Sequence, residues 1–488
     1  MNPPVSPQTV VGRQAEKRLL ATALASPDPE LIAIYGRRRV GKTFLVRQFL
    51  SQNLSFELTG LHAEPLVRQL ENFSNALRLS TNSTLNLRPR SWLEAFEFLK
   101  AHVIEQAKRQ RGKQVLFFDE LPWLATRRSG FMAALESFWN VFASRRTDVM
   151  LIVCGSAASW MIDKVIGSKG GLHNRTTGRI RLEPFNLLET KQYLEQRHIA
   201  LDHYQIAQLS MALGGIPQYL KQIEPGQSVA QNLDRLCFTK DGLLSDEYRF
   251  LYAALFENYE LHEAIVRALS AHGRSLTRDQ LIERAALKSG GSLSRTLREL
   301  VESGFVREEP PYGNHVKQTR YRLSDEYSLF YLNWIETNRT SGAGVWLRKA
   351  ASRKYSTWSG YAFESLCLKH IPQIKRALGI QGVETDESTW FYQPRNKDEE
   401  GAQIDLVIDR RDHCSNLCEL KYSEHPFVVD KAYSAELERK RRVFQQRTGT
   451  RHTLFLTLIT ATGLKTNDYS QRLVSNHISL DDLYADCR

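Results

Sequence analysis

Three apolar runs stand out in the first third of the chain. Leu31 to Tyr35 runs into Gly36, Val115 to Phe118 into Asp119-Glu120, and Val149 to Cys154 into Gly155-Ser156. Unbroken apolar runs of this length fit strands buried on both faces, as in parallel sheets. Behind the first run, Phe44, Leu45 and Phe49 continue in a helical pattern. From Glu183 to about Asn258 the pattern is helical and charged. Gly214-Gly215 ends one helix there and Pro217 starts the next.

Residues 261 to 325 change rhythm. "HEAIVRALSAHG" predicts a helix closed by glycine, and "LTRDQLIERAAL" a second with Thr277 as N-cap. "SLSRTLRELVES" predicts a third, with Leu293, Leu297, Leu300 and Val301 on one stripe. Two strands around a Pro/Gly turn follow in "GFVREEPPYGNHVKQTRYRLSD". Three helices and a hairpin predict a winged helix-turn-helix. In that motif the third helix enters the DNA major groove, here with Ser292, Ser294, Arg295 and Arg298 on its polar side. Packing as a lid against the chain's own nucleotide domain is the other reading.

After Ser341, "SGYAFESLCLKHIPQIKRAL" predicts a helix with Glu364 in its first turns. "GAQIDLVIDRRDHCSNLCELKY" then reads as two strands around a polar turn. Glu419 and Lys421, two apart, share one face of the second strand. That face is either solvated or needs a carboxylate and an ammonium together. Neighbouring strands can bring Asp405 to the same face. Two carboxylates there suit Mg²⁺, a hard cation that takes oxygen ligands. The metal would activate water at a phosphodiester, with Lys421 orienting that water or neutralising transition-state charge. Glu364 could complete the metal shell. The basic stretch "ELERKRRVFQQR" reads as a helix tracking a phosphate backbone, or as an ordinary solvated face.

The strongest chemical signal lies at the first strand. Gly36-Arg37-Arg38-Arg39-Val40-Gly41-Lys42-Thr43 matches G-x-x-x-x-G-K-[ST] between a strand and a helix. Its glycines let backbone N–H groups close around phosphate oxygens, and the helix start adds its positive end. Lys42 should reach the β- and γ-phosphates of ATP, and Thr43 should ligate Mg²⁺. Asp119 would hold that metal through water, and Glu120 would polarise the attacking water. Ser156 could sense the γ-phosphate. Arg175 and Arg179 are candidates to neutralise transition-state charge.

"VVGRQAE", "YGRRRVGKT", "FFDELPW", "CGSAASWM", "NRTTGRI" and "GGIPQYL" occur in that order. Together they resemble the archaeal-type ATPases of the STAND/AAA-like P-loop class, followed by a winged helix and a C-terminal domain once called DUF234. The resemblance implies that Gly12 and Arg13 lie near the nucleotide and that Gly214 to Pro217 begin a helical lid. One departure is "GSA", where the family often has two serines after glycine. The C-terminal pattern D-x(13)-E-x-K resembles the PD-(D/E)XK nuclease superfamily, in which that region has been placed. The resemblance assigns Asp405, Glu419 and Lys421 to the triad and Glu364 to the helix acid. Ile404 replaces the proline of that motif.

The expected fold is therefore multidomain α/β. A P-loop parallel sheet spans 1–182, a helical lid 183–258, a winged helix-turn-helix 259–340 and a restriction-endonuclease-like α/β domain 341–488. A length of 488 residues is too great for one core. The net charge of +12 favours contact with a polyanion such as DNA. It is spread along the chain: Ser341 to Arg488 holds 22 basic and 19 acidic residues. Six dispersed cysteines argue against a disulfide framework, and Cys414 and Cys418 beside His413 lack the second half of a metal clip. With no apolar run long enough for a bilayer and no signal-like start, a cytoplasmic protein without membrane contact is expected. Expected partners are ATP, Mg²⁺ and DNA, with a homo-oligomer left open. Function reads as an ATPase coupled to a Mg²⁺-dependent DNA nuclease. The alternative is a nucleotide-switched DNA-binding or scaffold protein with an inactive nuclease-like domain.

Overall fold

The computed structural model describes residues 9–81, 87–109, 112–126, 128–167, 172, 175–256, 258–272, 275–313, 319–338, 342, 344–394, 396 and 399–487. The chain forms two compact units, Met1–Pro184 and Phe185–Arg488.

The first unit is built on five parallel strands: β1 (Glu30–Tyr35), β2 (Leu54–Thr59), β3 (Gln114–Asp119), β4 (Val149–Gly155) and β5 (Gly178–Arg181). Their order is β2-β3-β4-β1-β5. The three apolar runs are β1, β3 and β4, and every residue of β3 and β4 is buried. One face is filled by an aromatic cluster in which Phe118 of β3 meets Phe56, Phe96 and Phe131. Each such ring contributes roughly 1.5–3 kcal/mol by burial. β1 and β3 both flank β4, with Tyr35 opposite Gly155 and Phe118 opposite Val153. This register brings three carboxyl ends together, where open parallel sheets bind ligands.

In the second unit, helix His203–Leu213 ends on Gly214 at φ 73°, and Pro217–Leu220 starts the next turn, as its Gly-Gly/Pro signal predicts. Next come helices Tyr259–His272, Arg278–Arg284 and Gly291–Glu302. They accompany a small antiparallel sheet of β6 (Leu276–Thr277), β7 (Val306–Glu309) and β8 (Arg320–Leu323), ordered β6-β8-β7. Thr277 caps the second helix, its hydroxyl accepting the Gln280 N–H at 3.3 Å. Much of the turn between β7 and β8, residues 314–318, lies outside the described residues. Ser292, Ser294, Arg295 and Arg298 are exposed. Arg295 pairs with Glu299 at 2.8 Å and Arg298 with Glu302 at 4.0 Å along the same helix.

The last stretch opens with helix Arg353–Lys369. Ser352 caps it well upstream of the expected start, so Glu364 sits near its end rather than in its first turns. Pro372 belongs to a separate helix, Ile371–Ala377, because proline cannot continue the first. Then come β9 (Thr385–Tyr392), β10 (Ala402–Arg410), β11 (Cys414–Lys421), β12 (Phe427–Val428), helix Lys431–Thr448, β13 (Thr453–Thr460), β14 (Leu464–Lys465) and β15 (Asn476–Ser479). The main sheet runs β15-β13-β11-β10-β9. β9, β10 and β11 are antiparallel, and β13 and β15 add parallel to β11.

Candidate functional site

Two constellations form, one in each unit. In the first, Gly36 leaves β1 at φ 140°, where a Cβ would meet the Leu182 carbonyl oxygen at 2.2 Å. Only glycine fits, so the loop can turn tightly off the strand. Gly41, at φ 93°, precedes helix Lys42–Phe49. Arg39 is also left-handed, at φ 71°. Buried Lys42 donates to the carbonyls of Gly36 and Arg37, both at 2.9 Å, keeping its cation at the loop. Thr43 Oγ1 donates to Asp119 Oδ2 at 2.6 Å. A hydroxyl and a carboxylate in contact at the end of a phosphate loop fit the donor set Mg²⁺ prefers.

Glu120 stands in the left-handed region at φ 46°, a strained position for a glutamate. Its carboxylate accepts the Ser156 hydroxyl at 2.7 Å and the Ser156 N–H at 3.2 Å. The acid after β3 and the serine after β4 are therefore joined. Arg13, buried beside Gly12, donates to the Val40 carbonyl at 3.3 Å and so reaches the loop from outside it. Arg38 and Val40 complete the loop backbone, with Val40 buried. Arg175 and Arg179 are both exposed. The Arg175 backbone N–H bonds to Leu172, and Arg179 donates to Thr176 at 3.3 Å. Neither bond involves the phosphate loop. Burial pushes the Cys154 thiol well up, with the Asp119 charge adding to it.

The second constellation lies on β10 and β11. Leu406 opposes Cys418, so the same register sets Asp405 across from Glu419. Asp405 Oδ2 accepts the Leu420 N–H at 3.1 Å, just beyond that pair. Asp405, Glu419 and Lys421 line one cavity of about 1090 Å³, and Glu364 joins them from its helix. The D-x(13)-E-x-K spacing thus brings its members to one face. The Lys421 ammonium is 3.5 Å from Glu419 and lies over the Tyr433 ring at 5.1 Å.

Several partners were not visible in the motif. Lys440 donates to both Glu419 oxygens, at 2.8 and 2.7 Å, and Tyr433 donates to Oε2 at 3.2 Å. Lys440 shares a stripe with Leu437 and Phe444, both buried, so a charge on an apolar stripe was the available signal. The basic helix therefore turns one of its cations inward. Three others are occupied within the chain: Arg439 on the Gly401 carbonyl, Arg442 on Glu400 and Arg447 on Glu399. Arg322 of β8 bonds Glu309 at 2.5 Å and Glu364 at 3.2 Å, and its guanidinium lies 4.6 Å over Tyr361.

The electrostatics follow from three acids around one hollow. Burial lifts the Glu364 pKa to about 7; the Asp405 charge adds to this and Arg322 opposes it. Burial also raises Glu419, with Asp405 adding and Lys440 and Lys421 opposing. Burial, the largest single influence, lowers Lys440, but Glu419, Asp405 and Glu436 together outweigh it, and the ammonium ends above its ordinary value. Burial is the first cause for both acids, so the site holds its carboxylates against the cost of desolvation, with cations set beside them.

Residues 11–223 match a family described as an ATPase domain predominantly from Archaea. An uncharacterized protein of Methanocaldococcus jannaschii is 22% identical over 418 residues, covering 85% of this chain and 88% of its own length. Among solved structures, a Walker-type ATPase of Pyrococcus abyssi is 20% identical with a TM-score of 0.49, covering 67% of this chain and 98% of that one. The Aeropyrum pernix ORC2 protein, solved with ADPNP and ADP, is 16% identical with a TM-score of 0.42, covering 72% and 98%. The match over residues 11–223 supports nucleotide binding and ATPase activity for that region. No helix among the described residues is long and apolar enough to cross a membrane.

Proposed function

We propose that the chain is an ATPase whose second unit handles DNA and cleaves it with Mg²⁺. The carrying observation is the placement of Asp405 and Glu419 across one strand pair, with Lys421 on the same cavity wall. The order helix, β9, β10, β11, β12, helix, β13 supports a restriction-endonuclease-like reading. The three helices with β6, β7 and β8 support a winged helix-turn-helix reading of 259–340.

In the first unit Lys42 and the loop N–H groups bind the triphosphate. Thr43 and Asp119 would hold Mg²⁺, and Glu120 takes the proton of the attacking water once Ser156 releases it. In the second unit Asp405 and Glu419 would hold a Mg²⁺ that supplies an activated water and charge neutralisation. Lys421 reaches a non-bridging phosphate oxygen. Lys440 and Tyr433 orient Glu419, and Arg322 orients Glu364. ATP turnover then switches when the DNA-handling region engages.

Plasmid cleavage by the full chain with Mg²⁺ or Mn²⁺, compared with Asp405→Ala, tests the nuclease. Loss in the variant supports it; no cleavage by the wild type under any metal or nucleotide sinks it. ATP turnover in Lys42→Ala tests the other half. A second reading has one specific observation behind it: Lys440 already supplies a cation to both Glu419 oxygens. On that reading the domain binds DNA without cutting, and divalent cations do not bind between residues 405 and 419.

A further inference from the structure

We infer that the cavity over Asp405 and Glu419 accepts an unpaired nucleic-acid strand rather than an intact duplex. The inference rests on the nuclease reading for its chemistry but goes beyond it to the substrate class.

The first argument is access. The Glu419 side chain is only 3% exposed, and the acids lie in the cavity rather than on an open face. The remaining wall carries Thr277, Gln280 and Arg284 from the three-helix region, Pro311 and Tyr312 after β7, and the end of β9. A carboxylate as enclosed as Glu419 is hard to reach for a scissile phosphate carried by a rigid duplex. A single strand can enter the cavity, because unstacked nucleotides bend freely at each phosphate.

The second argument is the lining. Phe391, on edge strand β9, keeps 49% of its surface exposed, and its ring lines the cavity. The Arg320 guanidinium lies 6.0 Å from its centroid, itself fixed by bonds to Ser275 at 3.1 and 2.7 Å. An exposed ring backed by a cation makes a stacking platform for an unpaired base, whatever its identity. Arg284 and Arg439 add positive charge to the walls. Duplex bases are already stacked on one another and offer no free face to Phe391.

The test uses the full chain with Ca²⁺ at one fixed salt concentration. Binding of a fluorescein-labelled oligothymidylate is compared by anisotropy with binding of a blunt hairpin duplex carrying the same number of phosphates. The oligothymidylate is expected to bind at least about tenfold more tightly, and Phe391→Ala to remove about tenfold of that affinity while leaving duplex binding unchanged. Phe391→Trp should restore it, which separates stacking from a fold defect. Equal or tighter duplex binding, or an oligothymidylate affinity indifferent to Phe391→Ala, overturns the inference. The nuclease reading is scored separately by adding Mg²⁺. Strand-selective binding without cleavage leaves this inference standing and removes the nuclease. Cleavage with duplex preference does the reverse.

Discussion

The two sheets place their acids in opposite ways. In the first unit, Asp119 and Glu120 come at and just after the end of β3, and Ser156 follows β4, where the chain leaves the sheet. Their partners are the hydroxyls of Thr43 and Ser156 and the Ser156 N–H, supplied where neighbouring elements begin and end. In the second unit, Asp405 and Glu419 project from within β10 and β11 into a hollow. Side-chain cations serve the acids of that hollow: Lys440 and Lys421 around Glu419, and Arg322 around Glu364. Acids at strand ends can be served by local chain geometry. Acids within strands need charges from distant segments, so stability and chemistry are tied together at the second site and separable at the first.

The largest expected effect is on turnover at the first site. Lys42→Ala should lower ATP hydrolysis at least about a hundredfold while leaving the urea midpoint close to wild type. At the second site the balance reverses. Lys440→Met strands a buried carboxylate and should cost about 3–5 kcal/mol in urea denaturation. Adding Glu419→Gln should recover most of that loss, because the pair, not the lysine alone, sets it. A Lys440→Met protein as stable as wild type would show that the cation is not needed there.

A pH series sharpens the contrast. A carboxyl lifted to about 7 holds its proton below that pH, and a cation must displace it. Mn²⁺ affinity at the second site should therefore rise from about pH 6 to pH 8, and Glu364→Gln should flatten that rise. Calorimetric titration reads both. The smallest effect is Thr277→Ala, which removes a helix cap and should cost about 1 kcal/mol. A loss several times larger would mean that the residue does more than cap its helix.

Much of the first unit was legible because its signals are local. The apolar runs mark β1, β3 and β4 within a residue or two, and the loop motif names its own ligands. β2 and β5 gave no comparable run: Leu54–Thr59 alternates polar residues, and Gly178–Arg181 has one buried position. In the second unit the i, i+2 rule places Glu419 beside Lys421, and the β10–β11 register, continued by one pair, sets Asp405 across from Glu419. Arg322 was not legible, since nothing in β8 announces its bonds to Glu309 on β7 and to Glu364 on a helix far along the chain. Lys440 was legible in principle. Read as part of a basic run it looked solvated; read against Leu437 and Phe444 it points inward. The start of helix Arg353–Lys369 was missed because Ser352 caps it within a polar stretch that carries little periodicity.

Crystals of the full chain soaked in Mn²⁺ offer the most direct test of the metal-binding claim for the second site. The account predicts an anomalous peak about 2.0–2.2 Å from carboxylate oxygens of both Asp405 and Glu419, with Lys440 moved off at least one Glu419 oxygen. No peak between those residues, with Lys440 still on both oxygens at saturating Mn²⁺, would contradict it.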